Sequence, residues 1–288
     1  MIKKFMIGTA QFGLEYGLTN QKGRVKKNEI IKILKYAKKK KINFIDTSQA
    51  YGVSENNLKL ANEKSWKIIT KINLSGLKKN QNIDNEIKKK ISISMKNLNR
   101  KSIYGILLQN SNIIFSKKGP KIYKALTFLK KKGLIKKFGY SIYDFKNIKK
   151  ICNKLKPDII QCPFNIFDRR LIENNNLTLL KNNNIEVHVR SIFLQGLLLS
   201  LNKKIIYKEF SKNIKLFDLW NKFLKKEKIS SLDACVNFVN KNKQIDKIII
   251  GIENLKQLKM ICCIKEKNLT FPNNLRASNK HLINPQLW

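Results

Sequence analysis

The sequence predicts an α/β chain closed into a single (β/α)8 barrel, a TIM barrel spanning residues 1–288. Three observations carry that prediction. Eight short apolar runs recur along the chain. Longer stretches, several with helical spacing, separate them, which is the pattern of parallel βαβ units. Polar residues close the runs, as expected where the ends of barrel strands form a site.

The runs are FMIGTA, NFID, WKIITK, IYGILLQ, KKFGYS, DIIQC, IEVHVRS and DKIIIG, in that order. Between them, NEIIKILKYAKKK, NEIKKKISISMKNL and GPKIYKALTFLKKKG place apolar residues on one helical face. The span from Ile205 to Asn242 is longer than one crossover needs. It holds two helical patterns, KLFDLWNKFLKKE and SLDACVNFVNK, so an inserted helix is expected before the last barrel helix. Ser230 or Ser231 is a suitable N-cap for the second pattern. A doubly wound open sheet is the alternative. It would carry a Gly-rich fingerprint after the first strand, and GTAQFG is not one.

With 42% hydrophobic residues in 288, the chain can bury a substantial core. Its apolar runs fall short of the roughly 20 residues that span a bilayer, and MIKKFMIGTAQFG has too short an apolar stretch for a signal peptide. A cytoplasmic protein without membrane association is expected, monomer or homodimer. Cys152, Cys162, Cys235, Cys262 and Cys263 show no metal or redox spacing, and with His188 and His281 alone a metal site has few ligands. Reduced structural thiols and no metal are expected. His188 shares parity with Arg190 and should point into the barrel one layer deeper, as a hydrogen-bonded interior histidine. His281 should lie at the surface.

The formal charge is +41, from 60 Lys+Arg against 19 Asp+Glu. A nucleic-acid-associated protein is one reading of that number. However, the lysines are spread over the whole chain and travel with abundant asparagine and isoleucine. All three share A/T-rich codons, so genome composition accounts for them together, whereas a binding patch would need lysine alone. No specific nucleic-acid partner is expected, only salt-sensitive adhesion to polyanions.

The residues that end the runs suggest a chemistry. They are Asp46, Lys71, Gln109, Ser141, Gln161, Arg190 with Ser191, and Gly251. When a hydride reduces a carbonyl, negative charge develops on oxygen and a proton must arrive there. Tyr51, in FIDTSQAYGVSE, is a donor if a nearby ammonium favours its phenolate. Lys71 ends an apolar strand and would need a carboxylate, which Asp46 on the neighbouring strand supplies. Thus Asp46 is expected to hold Lys71, and Lys71 to acidify Tyr51. Phe164, Asn165 and Phe167 either line the substrate side or pack a loop.

FIDTSQAYGVSE, KIITK, KKFGYSIYD, DIIQCPFNIFDRRL, EVHVRSIFLQGLLL and DKIIIGIENLKQL together resemble the aldo-keto reductase superfamily, in order and over essentially the whole chain. The resemblance implies a barrel that binds NADP(H) or NAD(H) and acts on a small-molecule carbonyl or sugar. Its catalytic tetrad falls on Asp46, Tyr51, Lys71 and Gln109. For the cofactor it implies Ser141 and Gln161 at the carboxamide, Gly8 and Thr9 beneath it, and Arg190 where many members place a stacking aromatic. It further implies Ser191 and the turn Leu194–Gly196 at the pyrophosphate, and Gly251 to Gln257 around the adenosine phosphate. The chain departs from the family twice. ILLQNSN has Gln109 where histidine is usual; glutamine still donates a hydrogen bond but cannot become charged. A nucleotide-binding barrel with little turnover is the competing reading of that change. GIENLKQL offers Glu253, Asn254 and Gln257 where NADP-selective members commonly place basic residues; NADP is expected on family grounds, with NAD as the alternative.

Overall fold

Eight parallel strands pair in chain order and the last returns to the first: β1 (Phe5–Gly8), β2 (Phe44–Asp46), β3 (Lys67–Ile72), β4 (Ile103–Leu108), β5 (Ile135–Ser141), β6 (Ile159–Pro163), β7 (Glu186–Arg190) and β8 (Lys247–Gly251). The structure is a computed structural model that describes residues 1–61, 65–77, 81–200 and 203–288. Each quoted apolar run overlaps one strand to within a residue, and the barrel is closed as the alternation predicts. The register brings the strand ends to one rim: Gly8 pairs with Asp46 on one side and Gly251 on the other, and Ser141 pairs with Gln161.

Outer helices follow the strands: α1 (Lys27–Lys39), α2 (Ser54–Asn57), α3 (Ile83–Leu98), α4 (Gly119–Lys131), α5 (Ile148–Lys154), α6 (Asn176–Asn182), α7 (Ser231–Lys241) and α8 (Leu255–Cys262). Spacing explains which face each buries. In α3, Ile83, Ile87 and Ile91 recur every four residues and are buried together with Leu98. Asn82 caps that helix by accepting from Asn85 N at 3.1 Å, and Asn99 ends it in the left-handed region. Ser230 is the cap of α7, its hydroxyl accepting from Asp233 N at 3.0 Å.

Two apolar layers result. Met6, Ile69, Leu107, Ile159 and Ile249 fill the barrel interior, with Phe44 and Tyr104 against them. Each such side chain contributes about 2 kcal/mol by leaving water. The larger core lies between the strands and the helices. The expected inserted helix is Ile214–Lys226, and it buries Phe217, Trp220 and Phe223. Trp220 Nε1 donates to Leu198 O at 3.2 Å, while Phe167 meets Phe217 and Trp220 edge-on. Phe164 and Phe167 are fully buried, and Asn165 Oδ1 accepts from Phe167 N and Asp168 N. These three residues therefore pack the β6 loop and do not face a substrate.

All five cysteines are free, with Cys263 alone exposed. Burial pushes the Cys162 thiol up to about 12, as an inert structural thiol requires. His188 is fully buried opposite Gln161 in the register, with Nε2 3.4 Å from Glu186 Oε2, but neither ring nitrogen has a hydrogen-bond partner, so the expected hydrogen-bonded histidine is buried without one. His281 is exposed. Among the described residues no metal-binding cluster occurs and no helix is long and apolar enough to cross a membrane.

Candidate active site

Asp46 closes β2 and Lys71 lies near the end of β3, each only 3% exposed. A buried ammonium or carboxylate is tolerated when paired and hydrogen-bonded. Lys71 Nζ donates to Asp46 Oδ1 at 2.6 Å, to Asp46 Oδ2 at 2.7 Å and to Thr47 O at 3.1 Å. From β6, Gln161 reaches the same carboxylate: its Nε2 donates to Asp46 Oδ1 at 2.8 Å. The sequence placed Gln161 at a cofactor carboxamide; the fold also makes it a support of Asp46. Its Oε1 is buried without a hydrogen-bond partner.

Tyr51 sits on the turn that leads into α2, and Lys71 Nζ lies 5.1 Å from the centroid of its ring. The turn is fixed by Tyr51 N donating to Ser48 O at 3.0 Å and Ser54 N to Tyr51 O at 3.0 Å. Two glycines let it approach the segment that follows the first strand. Gly52 has φ +54°, a conformation that favours glycine, and a Cβ on Gly13 would overlap the Tyr51 carbonyl oxygen. Thr9 ties the same corner: its hydroxyl donates to Asp46 O at 2.9 Å, and Ser54 Oγ bonds Thr9 Oγ1 at 2.8 Å.

One sequence expectation needs correction. Lys71 does not acidify Tyr51 in this state. Burial pushes the Tyr51 phenol well above its ordinary value and the Asp46 charge pushes the same way; Arg190 is the neighbour that pulls it down. Burial also lowers the Lys71 ammonium, against the upward pull of Asp46. The physical reason is that removing a phenolate from water costs more than the neighbouring Arg190 charge returns.

Arg190 is held across the mouth. Its Nη2 donates to Ile142 O at 3.1 Å, and the guanidinium stacks 3.9 Å from the Tyr143 ring centroid. Tyr143 and Tyr16 both act on the Arg190–Tyr51 surroundings, and neither was singled out in the sequence. Their strand-end and loop positions carry no pattern that would have marked them. Beyond Arg190, positive φ recurs at Ser191 (+59°), Leu194 (+48°), Gln195 (+53°) and Gly196 (+88°). Asn165 Nδ2 holds this turn through Ser191 O at 3.0 Å. Gly251 is exposed at the rim. Gln257 folds back on Glu253, accepting from its N–H at 2.8 Å and donating to its Oε2 at 3.2 Å.

Gln109 N donates to Ile72 O at 3.0 Å, while its side-chain Oε1 is buried without a partner. It opens, with Ser141, on a cavity of about 410 Å³ lined also by Asn73, Asn110, Asn112, Asn147, Asn284 and Gln286. No lysine or arginine lines it among the described residues, although the chain contains 60. Amides and hydroxyls dominate the wall, and Asp144 is its one charged group among the described residues.

The strand ends thus bring Asp46, Lys71, Tyr51, Gln161 and Arg190 together, with Gln109 and Ser141 on the adjoining cavity. Gly8 and Thr9 lie beneath the Tyr51 turn, and Gly251 and Gln257 lie along the β8 side. Comparison with known proteins bears on the fold and the family. Two solved structures share the fold: PA4992 from Pseudomonas aeruginosa, assigned to the aldo-keto reductases, with a TM-score of 0.67 at 19% identity over 91% of this chain and 88% of that one; and the aldo-keto reductase AKR11C1 from Bacillus halodurans in its holo form, with a TM-score of 0.73 at 18% identity over 93% and 88%. No curated protein matches the sequence. The family model described as the aldo/keto reductase family matches residues 4–270, nearly the whole length, and the chain belongs to that family.

Proposed function

We propose that this member of an oxidoreductase family interconverts a carbonyl and an alcohol using NAD(P)(H), with Tyr51 as the acid/base. The observation that carries the reading is the buried Asp46–Lys71 pair beneath the Tyr51 ring. The residues fit a nicotinamide cofactor: the orphaned Oε1 of Gln161 is a buried acceptor suited to a carboxamide N–H. Ser141, Arg190, Ser191 and the Leu194–Gly196 turn, with Gly8, Thr9, Gly251 and Gln257, would hold the rest. When bound, the cofactor supplies or accepts a hydride.

The protein's own part is proton handling and orientation. Tyr51, a phenol at ordinary pH, is ready to give its proton to the oxygen of a carbonyl being reduced. In the reverse direction it must lose that proton, and the charge of Arg190 favours the phenolate. The Gln109 amide is read as the donor of a hydrogen bond to the same oxygen. An amide-lined cavity with no basic residue among the described residues suits a hydroxylated aldehyde, ketone or sugar better than a phosphorylated one.

A binding barrel with little turnover is the second reading, favoured by Gln109 in the tetrad. Turnover of a panel of aldehydes and aldoses, with Tyr51→Phe as control, decides between them. We expect Tyr51→Phe to lose about 10²–10⁴ in rate while retaining nucleotide binding. Equal background rates in both proteins would sink the enzymatic reading.

A further inference from the structure

We propose that Glu55 is a positioning residue for Tyr51: its buried carboxylate joins the two ends of the Tyr51 loop to each other and to the strand that carries Lys71. The inference rests on reading Tyr51 as the acid/base. Glu55 ends the motif FIDTSQAYGVSE and lies in α2, one helical turn beyond Tyr51. It is only 2% exposed, so its oxygens need donors from the protein.

Among the described residues, three donors reach it from two other elements. Thr70 Oγ1 on β3 donates to Glu55 Oε1 at 2.6 Å, and Ser94 Oγ on α3 donates to the same oxygen at 2.8 Å. Asn97 Nδ2, also on α3, donates to Oε2 at 3.1 Å. Thr70 and Ser94 are fully buried. The bonds continue past Ser94. Having given its one proton to Glu55, that hydroxyl accepts from Gln49 Nε2 at 2.9 Å, and Gln49 Nε2 also donates to Lys90 O at 2.6 Å. Gln49 stands just before Tyr51 on the other side of the turn, and its backbone N–H donates to Lys71 O at 3.2 Å. The segment 49–55 is therefore a closed loop with Tyr51 inside it, its ends joined through Ser94.

The same carboxylate fastens the loop to β3. Successive strand residues face opposite sides. Ile69 belongs to the barrel interior, whereas Ile68 and Ile72 belong to the core under the helices, so Lys71 faces in and Thr70 faces out. Glu55 thus grips the outer face of β3 one residue from the ammonium on its inner face. A carboxylate suits the position because it accepts through both oxygens and donates through neither. An amide there would turn an NH2 either toward the Asn97 NH2 or toward the two hydroxyls, and at least one bond would be lost. A fully satisfied buried network holds a single arrangement. Tyr51 needs that precision, since a misplacement near 1 Å can cost about 10² in rate.

Steady-state kinetics and nucleotide titration of the full chain test this, with Glu55→Gln, Ser94→Ala and the double variant. Each single change is expected to lower kcat about tenfold, with KM and nucleotide affinity held within about twofold. Because both act on one chain of bonds, the double variant should lose clearly less than the product of the two. A second readout needs no substrate: NMR of the chain with isotope-labelled tyrosine rings, in which Tyr51→Phe identifies the Tyr51 signal. That signal should move in both single variants while those of Tyr104 on β4 and Tyr140 on β5 stay in place. Ser94→Ala removes one oxygen from a buried site, so it carries the test if Glu55→Gln folds poorly, which circular dichroism checks. Unchanged turnover, equal losses in kcat and nucleotide affinity, or a Tyr51 signal that does not move each overturns the proposal. If the unmodified protein reduces no carbonyl, the acid/base reading falls, and the Tyr51 signal alone decides whether Glu55 holds the loop.

Discussion

Lys71 gives all three of its ammonium protons away within 3.1 Å: two to the oxygens of Asp46, at 2.6 and 2.7 Å, and one to the Thr47 carbonyl. A lysine has three donors and no more. With its donors committed there, it stands 5.1 Å from the centroid of the Tyr51 ring and is not a hydrogen-bond partner of that phenol.

Breaking that pair from either side strands a buried charge. Asp46→Asn and Lys71→Met should each destabilise the fold by about 3–5 kcal/mol. The double variant should recover part of the loss, since no lone charge remains. Urea unfolding of the three variants measures this; strictly additive losses would show that the two residues do not work as a unit.

Gln109→His restores a donor that can also become charged, next to the unpartnered position its amide now occupies. Losing an oxyanion donor outright costs about 10²–10³ in rate, so replacing a neutral donor with a stronger one should raise carbonyl reduction by a smaller factor, about tenfold. Steady-state kinetics on one good aldehyde is sufficient. An unchanged or lower rate would mean that this side chain does not face the reacting oxygen.

Gly13 sets the height of the Tyr51 turn. A Cβ there would overlap Tyr51 O and stand 2.5 Å from Ser54 N, backbone atoms that cannot swing aside. Gly13→Ala should lift the turn away from Lys71. A displacement near 1 Å can cost about 10² in rate, with nucleotide affinity much less affected. A variant with normal turnover would show that the turn is more compliant than its packing suggests.

Acid stability should depend on Glu186. Burial works to raise its carboxyl, but the nearby His188 and the hydrogen bond from Lys137 outweigh it and hold the group at about 2, against an ordinary 4.5. The folded state then binds fewer protons than the unfolded one between those values, so the stabilisation is present above about pH 4.5 and is lost as pH falls through about 2. With the side chain 32% exposed, the effect should be about 1–2 kcal/mol. Glu186→Gln should flatten that part of the pH–stability curve. An unaltered acid limb would place the titration elsewhere.

The barrel was legible because its information is local and repeated. Eight apolar runs at strand length, separated by helical spacing, admit few closed arrangements, and the order β1 to β8 followed from the chain itself. The inserted helix at Ile214–Lys226 and the Ser230 cap were readable for the same reason. Asp46, Tyr51 and Lys71 were legible as neighbours on adjacent strand ends. Gln161 was assigned a partner outside the chain, yet it also spans the barrel to Asp46, and nothing in DIIQC points across to NFID.

The sequence by itself determined the closed α/β architecture, the rim on which the polar strand ends gather, and the residue types available there. Tertiary structure decided what each charge does. It committed Lys71 to Asp46 and the Thr47 carbonyl, left Arg190 as the cation that acts on the phenol, kept lysine out of the cavity beside Gln109 among the described residues, and carried Glu29 to the amide of Leu255. Periodicity reports which face of an element is buried, but electrostatic roles depend on distances of a few ångströms between residues far apart in the chain, and on how much water remains around them.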